Sequence, residues 1–170
     1  PFISNKNRTY IRGGVMNATE IFVKRFYHSI NVIDPLQISM ELIVDILGIR
    51  LMYWNYTSVL ASYQDRYVVF INESISKQQQ WQDFGHEMYH FFFDNTQYNI
   101  LKETYANYGE SKADYFAYHF CVPTFMLSEL KEVNVYDVME FFNVEFYFAL
   151  RRLEMYQSKL MSITSSNLSF

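Results

Sequence analysis

A chain of 170 residues that is 50% hydrophobic and 19% aromatic has ample material for one buried core and little for two domains. Its formal charge of −4 and pI near 5.5 argue against a protein that grips nucleic acid by its phosphates, which ordinarily presents a basic face. Cys121 is the sole cysteine, so no intramolecular disulfide can form, and there is no 18-residue apolar run or basic-then-apolar leader; a reducing, cytoplasmic setting is the expectation.

Residues 1–15 are polar, with Asn5, Lys6, Asn7, Arg8 and a Gly13-Gly14 break before Met16, and residues 1–16 read as a flexible arm or an upstream extension of a domain that begins near Asn17. From Ala18, apolar Ile21, Phe22, Phe26 and Ile30 recur at helical spacing. Asp34-Pro35 then offers an N-cap and an N1 proline for a second helix running to Gly48. His28 lies on the first helix with no motif around it and reads as a packing or surface residue. Between Ile49 and Asn72 the pattern becomes β-rich, as Ile49–Trp54, Val59–Tyr63 and Arg66–Asn72 with polar breaks between, and predicts a small antiparallel sheet of about three strands.

Glu73 to Phe93 is predicted as one long helix with Phe84, Phe91 and Phe92 facing the core. It carries His86-Glu87-Met88-Tyr89-His90, the pattern H-E-x-x-H. On a helix, residues four apart are neighbours, so both imidazoles point at one spot, while Glu87 is rotated about a quarter turn to flank it. That is the arrangement of two metal ligands and a general base. Residues 94–109 look irregular, with Asp94-Asn95 and Gly109 as breakers, and Tyr98, Tyr105 and Tyr108 as candidates for a wall or lid.

A hydrolytic zinc site needs a third protein ligand and one open position. Glu110, Ala113, Asp114, Ala117 and Cys121 share one helical face further on, and Glu110 is the candidate ligand. Asp114, one turn beyond, is placed to accept the ring N–H of a ligating histidine. Small Ala113 and Ala117 would let this face approach the first helix closely. The competing reading makes Asn107 an N-cap and Glu110 its capping-box partner. His119, nine positions after Glu110, points about half a turn away and is excluded as a ligand.

Pro123 ends that helix. Val135–Phe142 and Glu145–Leu160 follow as two helices joined at Asn143-Val144, a helix-turn-helix outline. Phe141, Phe142, Phe146, Phe148 and Leu150 make the pair mostly apolar, which favours a hairpin packed on the core over direct DNA contact. The expected division is therefore an arm at 1–16, a core at 17–123, a helical subdomain at 124–160 and a disordered tail at 161–170 rich in Ser and Asn.

The second histidine and Glu110 are separated by 19 intervening residues and Glu110 is followed by Asp at i+4, as in gluzincin peptidases. More narrowly, Gly85-His-Glu-Met-Tyr-His90 followed by Glu110-Ser-Lys-Ala-Asp-Tyr-Phe-Ala-Tyr-His-Phe-Cys-Val-Pro123 resembles the ImmA/IrrE metallopeptidases, over about residues 17 to 155. Met88-Tyr89 stands where that family usually has Leu-Gly, and Phe120 to Val122 where it usually has Leu-Leu-Met; these exchanges alter packing more than chemistry.

The resemblance implies an α+β fold with a zincin-like core, the small sheet packed on the metal helix and offering an edge to an extended peptide. It implies Zn²⁺ held by His86, His90 and Glu110, with Glu87 activating a water on the metal and Asp114 orienting a ligand. It further implies a bacterial or phage setting and a helix-turn-helix repressor as the protein substrate, cleaved to relieve repression. The alternative is a binding module that inactivates its repressor by complex formation alone, the metal site being structural or vestigial.

Overall fold

The computed structural model describes residues 10–11, 14–64, 66–93 and 102–167, with side chains described over 16–64, 66–93 and 109–162. Within the stretch read as an arm, β1 (Tyr10–Ile11) pairs antiparallel with β2 (Gly14–Val15). Helix α1 (Ala18–Ser29) starts at Asn17, whose Oδ1 accepts the Glu20 N–H while Glu20 Oε2 accepts the Asn17 N–H, a reciprocal cap. Its buried positions are Glu20, Val23 and Tyr27. The predicted stripe of Ile21, Phe22, Phe26 and Ile30 is only half-buried, Phe22 and Phe26 meeting the ring of Phe92 edge-on.

Asp34-Pro35 begins a single 3₁₀ turn, Pro35–Gln37, rather than the second helix. Helix α2 (Met40–Leu47) starts afresh at Ser39, whose hydroxyl accepts the Leu42 N–H. The turn closes because Gln37 reaches back to the Asp34 N–H, leaving the chain extended at Ile38. Gly48 ends α2 in the left-handed region at φ +68°, as expected of a C-terminal glycine.

Strands β3 (Arg50–Trp54), β4 (Val59–Tyr63) and β5 (Arg66–Asn72) form a sheet in the order β3-β5-β4. Only half of the expected antiparallel pairing holds. β4 runs antiparallel to β5, with Leu60 opposite Val69, but β3 runs parallel to it, with Leu51 opposite Val69 on the other side, so the sheet is mixed. Val68-Val-Phe-Ile71 is a continuous apolar run, suited to the middle of a sheet where both neighbours shield it. The four residues after β3 reach about 13 Å, enough to cross two strand spacings of about 4.8 Å, and so carry the chain over β5's position to place β4 beyond it.

Helices α3 (Lys77–Phe93) and α4 (Lys102–Cys121) pack against each other at the centre of the molecule. Helix α4 begins well before Glu110, so Gly109 lies inside it and Asn107 is no N-cap; the capping-box reading of Glu110 falls. Lys102, Glu103 and Ala106 are good helix formers, and one interior Gly costs only about 1 kcal/mol. Tyr98, and the side chains of Tyr105 and Tyr108, lie outside the described residues. The core joins Val23 and Tyr27 of α1, Val69 and Ile71 of β5, Phe84 and Met88 of α3, and Phe116 and Phe120 of α4.

Pro123 caps a short helix α5 (Thr124–Leu127). Helix α6 (Val135–Phe142) ends at Asn143 in the left-handed conformation, and α7 (Phe146–Asn167) runs past Leu160 into the stretch read as a tail, where no Gly or Pro interrupts it. Their facing residues Val138, Phe142, Val144, Ala149 and Leu153 are buried. Among the described residues no helix is long and apolar enough to cross a membrane.

Candidate metal centre

The chemistry sits where α3 crosses α4. His86 and His90 stand one turn apart on α3 with ring centroids 5.1 Å apart, and Glu110 and Asp114 stand one turn apart on α4. The crossing brings His86 Nε2 to 3.1 Å from Glu110 Oε2, His90 Nε2 to 3.2 Å from His86 Nε2 and 3.8 Å from Glu110 Oε1. Both imidazoles are mostly shielded, whereas the Glu110 side chain is 57% exposed, so the cluster is walled by protein on one side and open to solvent on the other.

Two features show that these donors suit a cation. Asp114 Oδ1 lies 2.9 Å from His86 Nδ1, which places the ring proton on Nδ1 when the imidazole is neutral and turns the Nε2 lone pair toward the cluster. That lone pair then faces a carboxylate oxygen at 3.1 Å, an arrangement of two acceptors that needs either a second proton on His86 or a positive ion between them. The spacing also fits: three ligand atoms about 2.1 Å from a tetrahedral Zn²⁺ lie about 3.4 Å from one another, against the 3.1, 3.2 and 3.8 Å seen here.

Glu87 lies about a quarter turn round α3 from His86, between the imidazoles and the sheet, and lines the same cleft. It is 8% exposed, and its Oε2 accepts the backbone N–H of Leu60 on edge strand β4 at 2.7 Å. Burial pushes its carboxyl up from the ordinary range, while the Leu60 N–H and the two imidazoles pull it back. The residue just before that strand is fastened one turn earlier on α3, where Ser58 Oγ donates to Asp83 Oδ2 at 2.6 Å and accepts the Asn72 N–H at 3.1 Å. No spacing rule in the sequence pointed to Leu60, Ser58 or Asp83, because their partners are 25 or more residues away for the two helix contacts.

A cleft of about 610 Å³ runs from His86, Glu87 and Glu110 past Ser58, Asp83 and Tyr118 to Glu145, Tyr147 and Phe148 of the C-terminal helices. Among the described residues its lining includes five carboxylates and no lysine or arginine, so a bound cation would partly offset a strongly negative wall. His119 stays away from it: 3% exposed, it packs against the ring of Tyr115 at 4.7 Å. His28 lies edge-on to Phe125 at 5.0 Å, far along α1.

A two-helix cluster of this kind, with a sheet edge held against its glutamate, defines a metallopeptidase-like domain. The family model described as the IrrE N-terminal-like domain, peptidase M78, matches residues 40–154, and the chain belongs to this ImmA/IrrE family. It is 31% identical over 146 residues to the uncharacterized protein YqaB of Bacillus subtilis (strain 168), covering 83% of this chain and 85% of that one. It is 29% identical over 156 residues to the phage-like element PBSX protein XkdA of the same organism, covering 89% and 79%. Among solved structures, a Mycobacterium tuberculosis transcriptional regulator has a similar fold, with TM-score 0.60 and 16% identity; the match covers 81% of this chain and 47%, about half, of that one.

Proposed function

We propose that the protein is a zinc-dependent endopeptidase that cleaves a helix-turn-helix transcriptional repressor and so relieves repression. The observation that carries the reading is the convergence of His86, His90 and Glu110, with Glu87 lining the same cleft. His86 and His90 would hold the ion through Nε2 and Glu110 through its carboxylate, with Asp114 holding the His86 ring in place. When bound, Zn²⁺ supplies a Lewis acid that acidifies water and polarises a carbonyl. Glu87 takes the proton of the attacking water on the oxygen that Leu60 leaves open and returns it to the departing amine. Edge strand β4, which approaches Glu87 through Leu60, offers main-chain groups to an extended peptide. The repressor as substrate is what the ImmA/IrrE resemblance implies, and the phage-like element relative fits the phage setting that goes with it.

The test is Glu87→Gln with zinc content measured by elemental analysis and cleavage followed on a co-expressed repressor. Zinc is expected to stay at one equivalent while cleavage stops. Continued cleavage in this variant removes Glu87 from the mechanism. Loss of cleavage with derepression retained moves the reading to a binding module that acts by complex formation.

A further inference from the structure

The metal ligands come from two helices, so the site exists only if α3 and α4 keep one separation. Gly85 immediately precedes the first histidine and lies in the interior of α3, where glycine weakens a helix relative to alanine. Its place is explained by what faces it. A Cβ at Gly85 would stand 2.6 Å from Cys121 Sγ, and 3.5 and 3.6 Å from the Cα and Cβ of Ala117. Cys121 is fully buried and its thiol donates to the Trp81 carbonyl at 3.4 Å, the same carbonyl that the Gly85 N–H reaches in an α-helix. The thiol of α4 therefore lies directly on the backbone of α3, one residue from His86.

We propose that Gly85 and Cys121 form a spacer that positions the metal ligands by fixing how closely α4 approaches α3. Ordinary contact begins near 3.4 Å, so a methyl group at position 85 demands about 0.8 Å more room at the thiol. Metal ligands tolerate about 0.2 Å of misplacement. Glu110 and Asp114 ride on the same helix as Cys121, at 3.1 and 2.9 Å from His86, and a shift of α4 is carried straight to both. Removing Sγ as well leaves the added methyl with no contact closer than the ordinary 3.5 Å to Ala117 Cα. The two positions are thus complementary: enlarging one is tolerated only if the other shrinks. This inference rests on the zinc-site reading above and concerns residues that touch neither metal nor substrate.

The experiment compares full-length wild type, Gly85→Ala, Cys121→Ala and the double variant by zinc affinity, using competition with a chromophoric chelator. The visible absorption of the Co²⁺-substituted proteins reports ligand geometry, and the melting temperature is measured on metal-free protein. Gly85→Ala is expected to bind zinc at least tenfold more weakly, with an altered Co²⁺ spectrum, and the double variant to return to within about threefold of wild type with the original spectrum. If Gly85→Ala does not fold, a folded, zinc-binding double variant still supports the spacer. Wild-type affinity in Gly85→Ala, or a double variant that is as weak as the single or fails to fold, overturns it. Absence of zinc binding in wild type overturns the site reading itself, and is seen in the control before any variant is compared.

Discussion

His119 makes the stability of the protein depend on pH, through a group outside the candidate metal cluster. It is 3% exposed, both ring nitrogens are buried without a hydrogen-bond partner among the described residues, and Arg152 and Lys159 lie near it with Glu20 as the opposing charge. Burial, reinforced by Arg152, pulls its pKa from 6.5 down to about 3. The folded protein therefore holds the imidazole neutral while the unfolded chain takes up a proton below 6.5, so stability is complete above that value and is lost as pH falls toward 3. At about 1.36 kcal/mol per pKa unit, the loss from this group is about 2 kcal/mol at pH 5 and about 4 kcal/mol at pH 3. The assay is urea denaturation of metal-free protein, with chelator present, at pH 7 and pH 5 for wild type and His119→Met, a variant of similar volume that cannot be protonated. Wild type should lose about 2 kcal/mol more than the variant between the two pH values. Equal losses would show that the buried imidazole is not kept neutral by the fold.

Three other outcomes follow from particular contacts. Asp114→Ala removes the acceptor at 2.9 Å from His86 Nδ1 and is expected to weaken zinc binding about 10- to 100-fold with little change in melting temperature; undiminished affinity would take Asp114 out of the site. Glu20, 2% exposed, accepts from Lys159, Thr124 and the Asn17 N–H, and these bonds outweigh the effect of its burial and hold its carboxyl below the ordinary range. Glu20→Gln leaves Lys159 and buried Arg152 without that charge and should cost about 3–5 kcal/mol by denaturant unfolding, whereas a loss under 1 kcal/mol would mean solvent already screens them. Gly48 sits at φ +68° with nothing among the described residues within 4 Å of an added Cβ, so Gly48→Ala isolates backbone strain and should lower stability by about 1 kcal/mol, read as a fall of several degrees in melting temperature; an unchanged value would refute the strain.

The residues brought together at the cluster were legible because each pair is local on a helix. His86 with His90 and Glu110 with Asp114 are both i,i+4 pairs, and 3.6-residue periodicity aims such pairs without knowledge of anything else. What was misread is what depends on competition between distant partners. The order of the three strands turned on which one is apolar enough for the middle, and the start of α4 lay too far from its apolar face for periodicity to mark it. Buried Arg152 had no sequence signal at all. It donates to the carbonyls of Tyr118 and Val122 and to the Thr124 hydroxyl, closing the end of α4 from a helix 28 or more residues away.

The sequence by itself determined the donor types, their pairing on helix faces and the family, since these rest on residue identity and on spacing within one turn. Tertiary structure alone decided that the two pairs meet at 3.1 Å, that the Leu60 amide holds Glu87, and that a glycine beside the first histidine meets the thiol of Cys121. The reason is physical: hydrogen bonding within a helix fixes angles along one element, whereas the distance between elements is set by side-chain volumes at the contact, and those are matched only when the chain has folded.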